Sequence, residues 1–264
     1  MNSLSINFLN NQISQATGMK LDYYKTDLLS EAYQSVMDKN GIKTYVDLGV
    51  IVKKDQGIVD QIFAALTVNY TTLFRGRSTW QFLKNELRKD KEELKILHLA
   101  CSTGEEVISS EILLRSIGRK ASIIASDVDN EAVDKAKLRA YNPNVESSFR
   151  NGLNSYDSSM QFGSLFHVNE DRLKVKTELM ANTKFAVHDV INEIPWKNQD
   201  IVFCRNMLIY LEEKYKTLVL DNIHASLKDG GWLVLGNLDG FLIEENDTRF
   251  QIVDASAKVY SKRS

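Results

Sequence analysis

The pattern of apolar residues along the chain changes near residue 90. Before that point apolar positions recur at helical spacing, as in residues 21–41, 57–70 and 79–89. From residue 94 onward, short and nearly continuous apolar runs appear, which are typical of strands buried on both faces of a sheet. The sequence therefore predicts an all-helical first section followed by an α/β fold.

The second section alternates between predicted strands and predicted helices. The strands are residues 94–100, 121–126, 200–204 and 231–237. Helical stripes lie between them, in residues 105–118, 129–141 and 212–230, and two of these end at glycine. Such alternation implies right-handed βαβ units and a parallel sheet. The last sixteen residues resemble two strands joined by a turn and predict an antiparallel edge.

Residues 142–183 fit neither the strand-helix rhythm nor a disordered tail. They contain Phe149, Phe162 and Phe166 and a strand-like stretch at 172–176. We predict an insertion that contains a small β element.

Composition excludes several classes of function. The 264 residues include 33 Lys and Arg against 35 Asp and Glu, a net charge of -2 without long runs of one sign, so we expect no nucleic-acid partner. No stretch approaches the ~18 apolar residues of a membrane span, which predicts no membrane insertion and a cytoplasmic protein. Cys101 and Cys204 each end an apolar run and are expected to be free thiols. The four histidines lack ligand spacing, so we expect no metal.

The turn after the first predicted strand contains one glycine, Gly104, followed by Glu105 and Glu106. In an open α/β sheet this turn is a usual ligand site. A pyrophosphate would need more glycines and no adjacent acids, so a nucleoside-like ligand with positive charge is favoured, and S-adenosylmethionine meets that description. Asp127 follows Gly104 by 23 residues, close to the offset of a ribose-binding acid.

A simpler interpretation exists for each of these acids. Glu105 and Glu106 would favour the dipole at the N-terminus of a helix, and Asp127 would be the N-cap of the next helix. Taken together on neighbouring strand ends, the three residues favour a nucleoside site.

Several blocks of this sequence resemble the chemotaxis receptor glutamate methyltransferases of bacteria. The blocks are residues 98–106, 123–137 and 200–237, of which "FCRNMLIY" at 203–210 is the most specific. Residues 69–77 also resemble the family's N-x-T-x-F-F-R signature, with Leu73 in place of the first phenylalanine. The similarity extends over nearly the whole chain.

This resemblance implies an α/β, class I (Rossmann-like) methyltransferase sheet with an N-terminal helical domain. The helical domain and linker would cover residues 1–76, and the methyltransferase domain residues 77–264, with the small β-subdomain at about 142–183. The implied reaction transfers a methyl group from S-adenosylmethionine to a glutamate carboxylate of a protein, giving a methyl ester. The implied partner is the cytoplasmic helical domain of a chemoreceptor, and we expect a monomer.

The resemblance also implies the site residues. Cofactor contacts would fall on Asn69, Thr71, Arg75, Glu106, Asp127, Asp189, Val190, Arg205 and Asn206, and Arg75 and Tyr210 would act near the reacting carboxylate. Asp189 stands where many members have asparagine, so an acceptor near the adenine is kept and an amide donor is lost. The alternative for Tyr210 is a half-buried aromatic on an apolar helix.

The resemblance is weaker for the residues expected to contact the methyl-accepting protein. Receptor-methylating members tend to have several arginines on a front helix, whereas this chain has Ala32, Ser35, Val36 and Asp38 there. Their absence lowers the charge complementarity to a Glu-rich receptor helix. Two alternatives therefore stay open: methylation of another protein or a small molecule, or a non-catalytic signalling module of the same fold.

Overall fold

A computed structural model describes residues 3–17, 20–66, 71–89, 92–239, 243 and 247–264. The chain divides into two compact units. The helical unit comprises residues 1–70 and 210–216, and the sheet unit comprises residues 71–209 and 217–264. The predicted boundary after residue 76 stays a prediction. Among the described residues, no helix is long and apolar enough to cross a membrane.

The helical unit has four helices in its described first part: α1 (Ser3–Thr17), α2 (Thr26–Asn40), α3 (Tyr45–Ile51) and α4 (Gln56–Leu66). Their apolar stripes meet in one core, whose fully buried side chains include Leu9, Ile13, Leu29, Leu48 and Ile62. The boundaries follow local signals. α2 ends before Gly41, which adopts a φ of +66°, and the Thr44 side chain caps α3 by accepting the Asp47 amide.

The four α2 positions that are compared with the family's arginines divide between two faces of the helix. Ala32 and Val36 are buried in the core, so their apolar side chains say nothing about contacts with a partner. Ser35 and Asp38 are exposed as expected. Of the four positions at which the resemblance leads us to expect basic residues, Ala32 and Val36 therefore occupy the inward stripe of the helix and Ser35 and Asp38 its exposed face.

The sheet unit is built on a seven-stranded sheet, in the order β6-β2-β1-β7-β8-β10-β9. The strands are β1 (Leu94–Leu99), β2 (Ala121–Asp127), β6 (Thr183–Val187), β7 (Gln199–Cys204), β8 (Leu227–Leu235), β9 (Phe250–Asp254) and β10 (Val259–Lys262). The first five are parallel, and the β8-β10-β9 edge is antiparallel. The helices are α5 (Arg77–Glu86), α6 (Glu105–Ser116), α7 (Asn130–Leu138), α8 (Glu146–Tyr156) and α9 (Glu213–Ser226), of which residues 213–216 belong to the helical unit. The predicted α/β fold is confirmed.

β8 begins earlier than the sequence indicates. We predicted a helix up to the glycine pair and a strand from residue 231, but α9 ends at Ser226 and Leu227 already pairs with Gln199 of β7. The Lys262 ammonium donates to the Leu227 carbonyl, and Gly230 adopts a φ of +71° within the irregular start of the strand. Tertiary pairing has therefore overridden the helical spacing of Leu227.

The insertion contains the predicted small β element. β3 (Ala140–Tyr141), β4 (Phe166–Val168) and β5 (Leu173–Val175) form a three-stranded antiparallel sheet in the order β3-β5-β4. The helix α8 beside it was not predicted. Its Phe149 contacts Phe166 at a ring distance of 5.6 Å, and Phe162 stacks on Phe166 at 4.6 Å. The three phenylalanines thus form the core of the insertion.

Candidate functional site

The predicted site residues of the sheet unit meet at the carboxyl edge of the sheet. β2, β1 and β7 are adjacent and parallel, with Leu99 level with Ser126 on one side and with Cys204 on the other. The turn that contains Gly104 therefore lies between Asp127 and Arg205, two residues that are far apart in sequence. Burial raises the pKa of Cys101 and Cys204, and both are free thiols.

The turn after β1 is tightly wound. Ala100, Ser102 and Gly104 have positive φ values of 54°, 47° and 94°. A Cβ on Gly104 would lie 3.1 Å from the Ala136 Cβ and 3.5 Å from the Tyr141 hydroxyl oxygen, so glycine is needed there for both backbone and space. The Tyr141 hydroxyl also donates to the Thr103 carbonyl at 2.7 Å. The small sheet therefore supports the turn directly.

Asp127 binds the backbone of this turn. Its Oδ2 accepts the Ser102 amide at 2.7 Å, and its Oδ1 accepts the Asp129 amide at 3.0 Å. Burial nonetheless outweighs these bonds and raises the pKa of Asp127. The N-cap of α7 is Asp129, which accepts the amides of Glu131 and Ala132, so the alternative that Asp127 caps this helix is wrong. The Val128 amide also bonds to this carboxylate.

The two adjacent glutamates of α6 have different environments. Glu105 is buried and accepts the Thr103 hydroxyl at 2.6 Å, and burial raises its pKa. Glu106 has an ion pair instead: Oε2 lies 3.0 Å from Nη1 of Arg205, and Oε1 lies 2.8 Å from Nδ1 of His98. Burial alone would raise the pKa of Glu106, but these two partners outweigh it and lower the pKa. The simpler interpretation, in which Glu106 only stabilises the dipole at the N-terminus of α6, therefore does not account for its contacts.

Arg205 connects Glu106 to the chain before α5. Its Nη2 donates to the Arg75 carbonyl at 2.6 Å, and a Cβ on Gly76 would lie 2.7 Å from that nitrogen. The guanidinium carbon lies 5.8 Å from the centre of the Trp80 ring. Its Nε is buried without an acceptor among the described residues. Arg205 is thus held in place by Glu106 and by the Arg75 carbonyl.

Asn206 begins a loop that is held by a buried carboxylate. The backbone amide of Asn206, which has a φ of +59°, donates to Oδ2 of Asp239. Asp239 also accepts the amides of Gly236 and Ile209, at 3.2 and 3.3 Å. A Cβ at Gly236 would lie 2.7 Å from Asn206 atoms, so the two strand ends approach closely. Burial raises the pKa of Asp239.

The remaining predicted residues are distributed along both units. Asp189 and Val190 follow β6; Asp189 accepts the Ile191 amide at 3.1 Å, and the Val190 carbonyl accepts from Asn222 at 3.4 Å. Thr71 is half-buried, and the Arg75 side chain is exposed.

Two predicted residues are not part of the described sheet unit. Tyr210 belongs to the helical unit, where its carbonyl accepts the Lys25 amide at 2.9 Å. It is the last residue of a short 3-10 turn, Leu208–Tyr210, rather than part of an α-helix, and it is half-buried, so the alternative holds for its burial and not for its helix type. Asn69 lies outside the described residues.

Sequence reasoning missed His98 and Asp239. His98 lies inside an apolar strand and has no metal-ligand spacing, so its environment offered no local signal. Asp239 lies four residues beyond the end of β8 at Leu235, and an acid shortly after a strand end at the carboxyl edge was the available signal.

A sequence profile described as "CheR methyltransferase, SAM binding domain" matches residues 69–259. The chain belongs to the CheR methyltransferase family. A chemotaxis protein methyltransferase of Listeria innocua is 27% identical over 237 residues, which cover 87% of this chain and 87% of that protein. Chemotaxis protein methyltransferase Cher2 of Pseudomonas putida is 28% identical over 244 residues, covering 85% and 86%.

As a CheR-family methyltransferase, the chain uses S-adenosylmethionine, and the described edge fits that cofactor. Asp127 provides a carboxylate, a group that accepts ribose hydroxyls, beside the turn, and the Arg205 Nε–H has no acceptor among the described residues. Glu106 supplies negative charge close to the turn, and Arg205 balances it. The edge therefore has the donors and acceptors that a zwitterionic nucleoside needs, without a phosphate-binding loop.

Proposed function

We propose that this CheR-family methyltransferase methylates the side-chain carboxylate of a glutamate in a protein, with a chemoreceptor as substrate. Family membership supports the reaction, and the meeting of Asp127, Glu106 and Arg205 at one edge supports the cofactor site. The names of the relatives, chemotaxis protein methyltransferases, support the choice of receptor.

The cofactor contacts proposed for this chain follow the order of the strand ends. Asp127 would accept the ribose hydroxyls, Asp189 and Val190 would face the adenine, and Glu106 would accept the ammonium group. Arg205 and Asn206 would complete the amino-acid end, and Asn69, Thr71 and Arg75 are the further contacts that the family resemblance implies. Acid-ammonium and guanidinium-carboxylate pairs are the strongest hydrogen bonds available for a zwitterion.

The chemistry requires little from the protein beyond positioning. The bound cofactor supplies a methyl group on a sulfonium, and the accepting carboxylate is ionised at neutral pH because a glutamate has a pKa of about 4.3. No general base is needed, so holding the carboxylate in line with the methyl group would account for most of the rate. In our proposal Arg75 holds the substrate carboxylate, and the Tyr210 hydroxyl orients the attacking oxygen.

A second acceptor class is favoured by the exposed face of α2. Asp27, Glu31 and Asp38 are exposed there, and Lys39 is the one basic residue of this helix. An acidic receptor helix would be repelled by such a face. A CheR-type methyltransferase that acts on a basic protein or a small molecule is the second candidate.

Two measurements test the proposal in order. Calorimetry with S-adenosylhomocysteine tests the cofactor site, and absence of binding would overturn the proposal. Chemoreceptor-containing membranes are then incubated with the enzyme and tritiated methyl donor. Base-released methanol that disappears when the receptor's accepting glutamates are changed to glutamine supports the first candidate. Cofactor binding with labelling only of other acceptors supports the second.

Two variants test the catalytic assignments. Arg75→Ala should lower kcat about 100-fold, since a hydrogen bond to a charged group is worth roughly 1.5–3 kcal/mol. Tyr210→Phe, which removes one oxygen atom, should lower kcat about tenfold on the same basis. Unchanged rates in both would favour the non-catalytic alternative for this pair of residues.

A further inference from the structure

His98 is fixed on three sides inside the sheet unit. It lies on β1 with its side chain fully buried, and its ring stacks on Phe203 of β7 at 4.4 Å and 10° between planes. Both ring nitrogens reach α6: Nδ1 lies 2.8 Å from Oε1 of Glu106, and Nε2 lies 3.0 Å from Oγ of Ser110. Glu106 and Ser110 are four residues apart and therefore share one helix face.

The hydrogen-bond partners fix the tautomer. An ionised carboxylate can only accept, so Nδ1 of His98 carries the proton that bonds Glu106. In the neutral imidazole Nε2 then accepts from the Ser110 hydroxyl, which can rotate to donate. Every polar atom of the imidazole is thus satisfied without a metal or water.

This contact changes what the Glu106 carboxylate can do. Oε1 is bound to His98 and Oε2 to Arg205, so the two oxygens bond different donors. Without His98, the carboxylate could rotate and form the bidentate pair that arginine favours, with both oxygens on the guanidinium. With His98 in place, each oxygen keeps one lone-pair position.

We propose that His98 is a positioning residue for the cofactor: its Nδ1–H holds the Glu106 carboxylate in the orientation that accepts the cofactor's ammonium group. The proposal rests on the cofactor role proposed for Glu106. His98 contacts neither the methyl group nor the acceptor, and it acts through Glu106 alone.

Three substitutions separate this role from simple packing. His98→Asn keeps an N–H donor close to the position of Nδ1, whereas His98→Gln places its amide nearer the position of Nε2, and His98→Leu removes both. Calorimetry with S-adenosylhomocysteine is the readout, with the melting temperature of the free protein as a control for folding. We expect His98→Leu and His98→Gln to weaken binding about tenfold, and His98→Asn to stay within about threefold of wild type.

The outcomes are distinguishable. Failure of the wild-type chain to bind S-adenosylhomocysteine overturns the cofactor role of Glu106 and this inference together. Wild-type binding that is unchanged in His98→Leu, or equally weakened in His98→Asn and His98→Gln, overturns this inference alone. If His98→Leu does not fold, the asparagine and glutamine pair still decides.

A double-mutant cycle gives a second readout. Removing the carboxylate with Glu106→Ala should abolish the effect of His98→Leu on binding, because nothing is left to position. Additive effects would indicate a general packing role and overturn the proposal. The nitrogen chemical shifts of the imidazole should also report the Nδ1–H tautomer at pH 7, and the opposite tautomer would contradict it.

Discussion

The two sides of the carboxyl edge treat buried negative charge differently. On the β2 side, Asp127 and Glu105 bond backbone amides and a hydroxyl, and burial raises the pKa of both. On the β7 side, Glu106 is paired with Arg205 and His98, which lower its pKa against the effect of burial. On the first side the carboxylates have no cationic partner. On the second side the charge of Glu106 is already neutralised by Arg205 in the protein itself. Ribose binding suits the first side, and a zwitterion suits the second.

The largest effect should follow from removing the cation on the β7 side, Arg205. Arg205→Met leaves the Glu106 carboxylate buried with His98 alone, which should cost about 3 kcal/mol of unfolding free energy. Urea denaturation at pH 7 measures it. The double variant Arg205→Met with Glu106→Gln removes both charges and should recover part of the loss. A loss below about 0.5 kcal/mol in the single variant would mean that the pair is not desolvated.

The β2 side should respond in cofactor binding. Asp127→Ala removes the acceptor proposed for the ribose hydroxyls and should weaken S-adenosylhomocysteine about 100-fold in calorimetry. The matched control is Asp129→Ala, two residues away, which removes the N-cap of α7. That variant should lose about 1 kcal/mol of stability and keep near wild-type affinity. If Asp129→Ala weakened binding and Asp127→Ala only lowered stability, the roles assigned to the two aspartates would have to be exchanged.

This pair of aspartates shows where the sequence was informative. The strand ends could be located from apolar runs, because a strand covered on both faces has few polar positions. The runs place Asp127 and the turn with Gly104 at one edge, whereas Arg205 and Asn206 are implied as site residues only by the family resemblance. The choice between Asp127 and Asp129 as helix cap depended on the local backbone path, which the sequence pattern does not specify.

Other features depended on contacts that no local pattern reports. Glu106 and Arg205 are 99 positions apart, and the sequence assigned both to a ligand rather than to each other. His98 became part of the site only because α6 lies over β1. On α2, the four positions compared with the family's arginines come from the resemblance, and the burial of Ala32 and Val36 depends on which stripe of the helix packs inward.

The same change, glutamate to glutamine, made separately at two adjacent positions compares the two sides directly. Glu106→Gln breaks a charge-assisted network and should destabilise the fold by about 1–2 kcal/mol. Glu105→Gln removes a buried charge that has no cation and should change stability by less than about 0.5 kcal/mol. Both are measured by urea denaturation at pH 7. Equal losses would mean that the two glutamates share one environment.

The smallest effect is a difference in the pH dependence of these two variants. Because the folded pKa of Glu106 is lowered, its contribution is present above the ordinary value of 4.5 and is lost as pH falls through the folded pKa. The folded pKa of Glu105 is raised, so its contribution is present below 4.5 and is lost as pH rises through the folded pKa. As pH falls from 7, the stability advantage of wild type over Glu106→Gln should shrink. The stability of wild type relative to Glu105→Gln should instead increase. Urea midpoints measured between pH 3 and pH 7 give both trends, and parallel curves would contradict the assignment of opposite shifts.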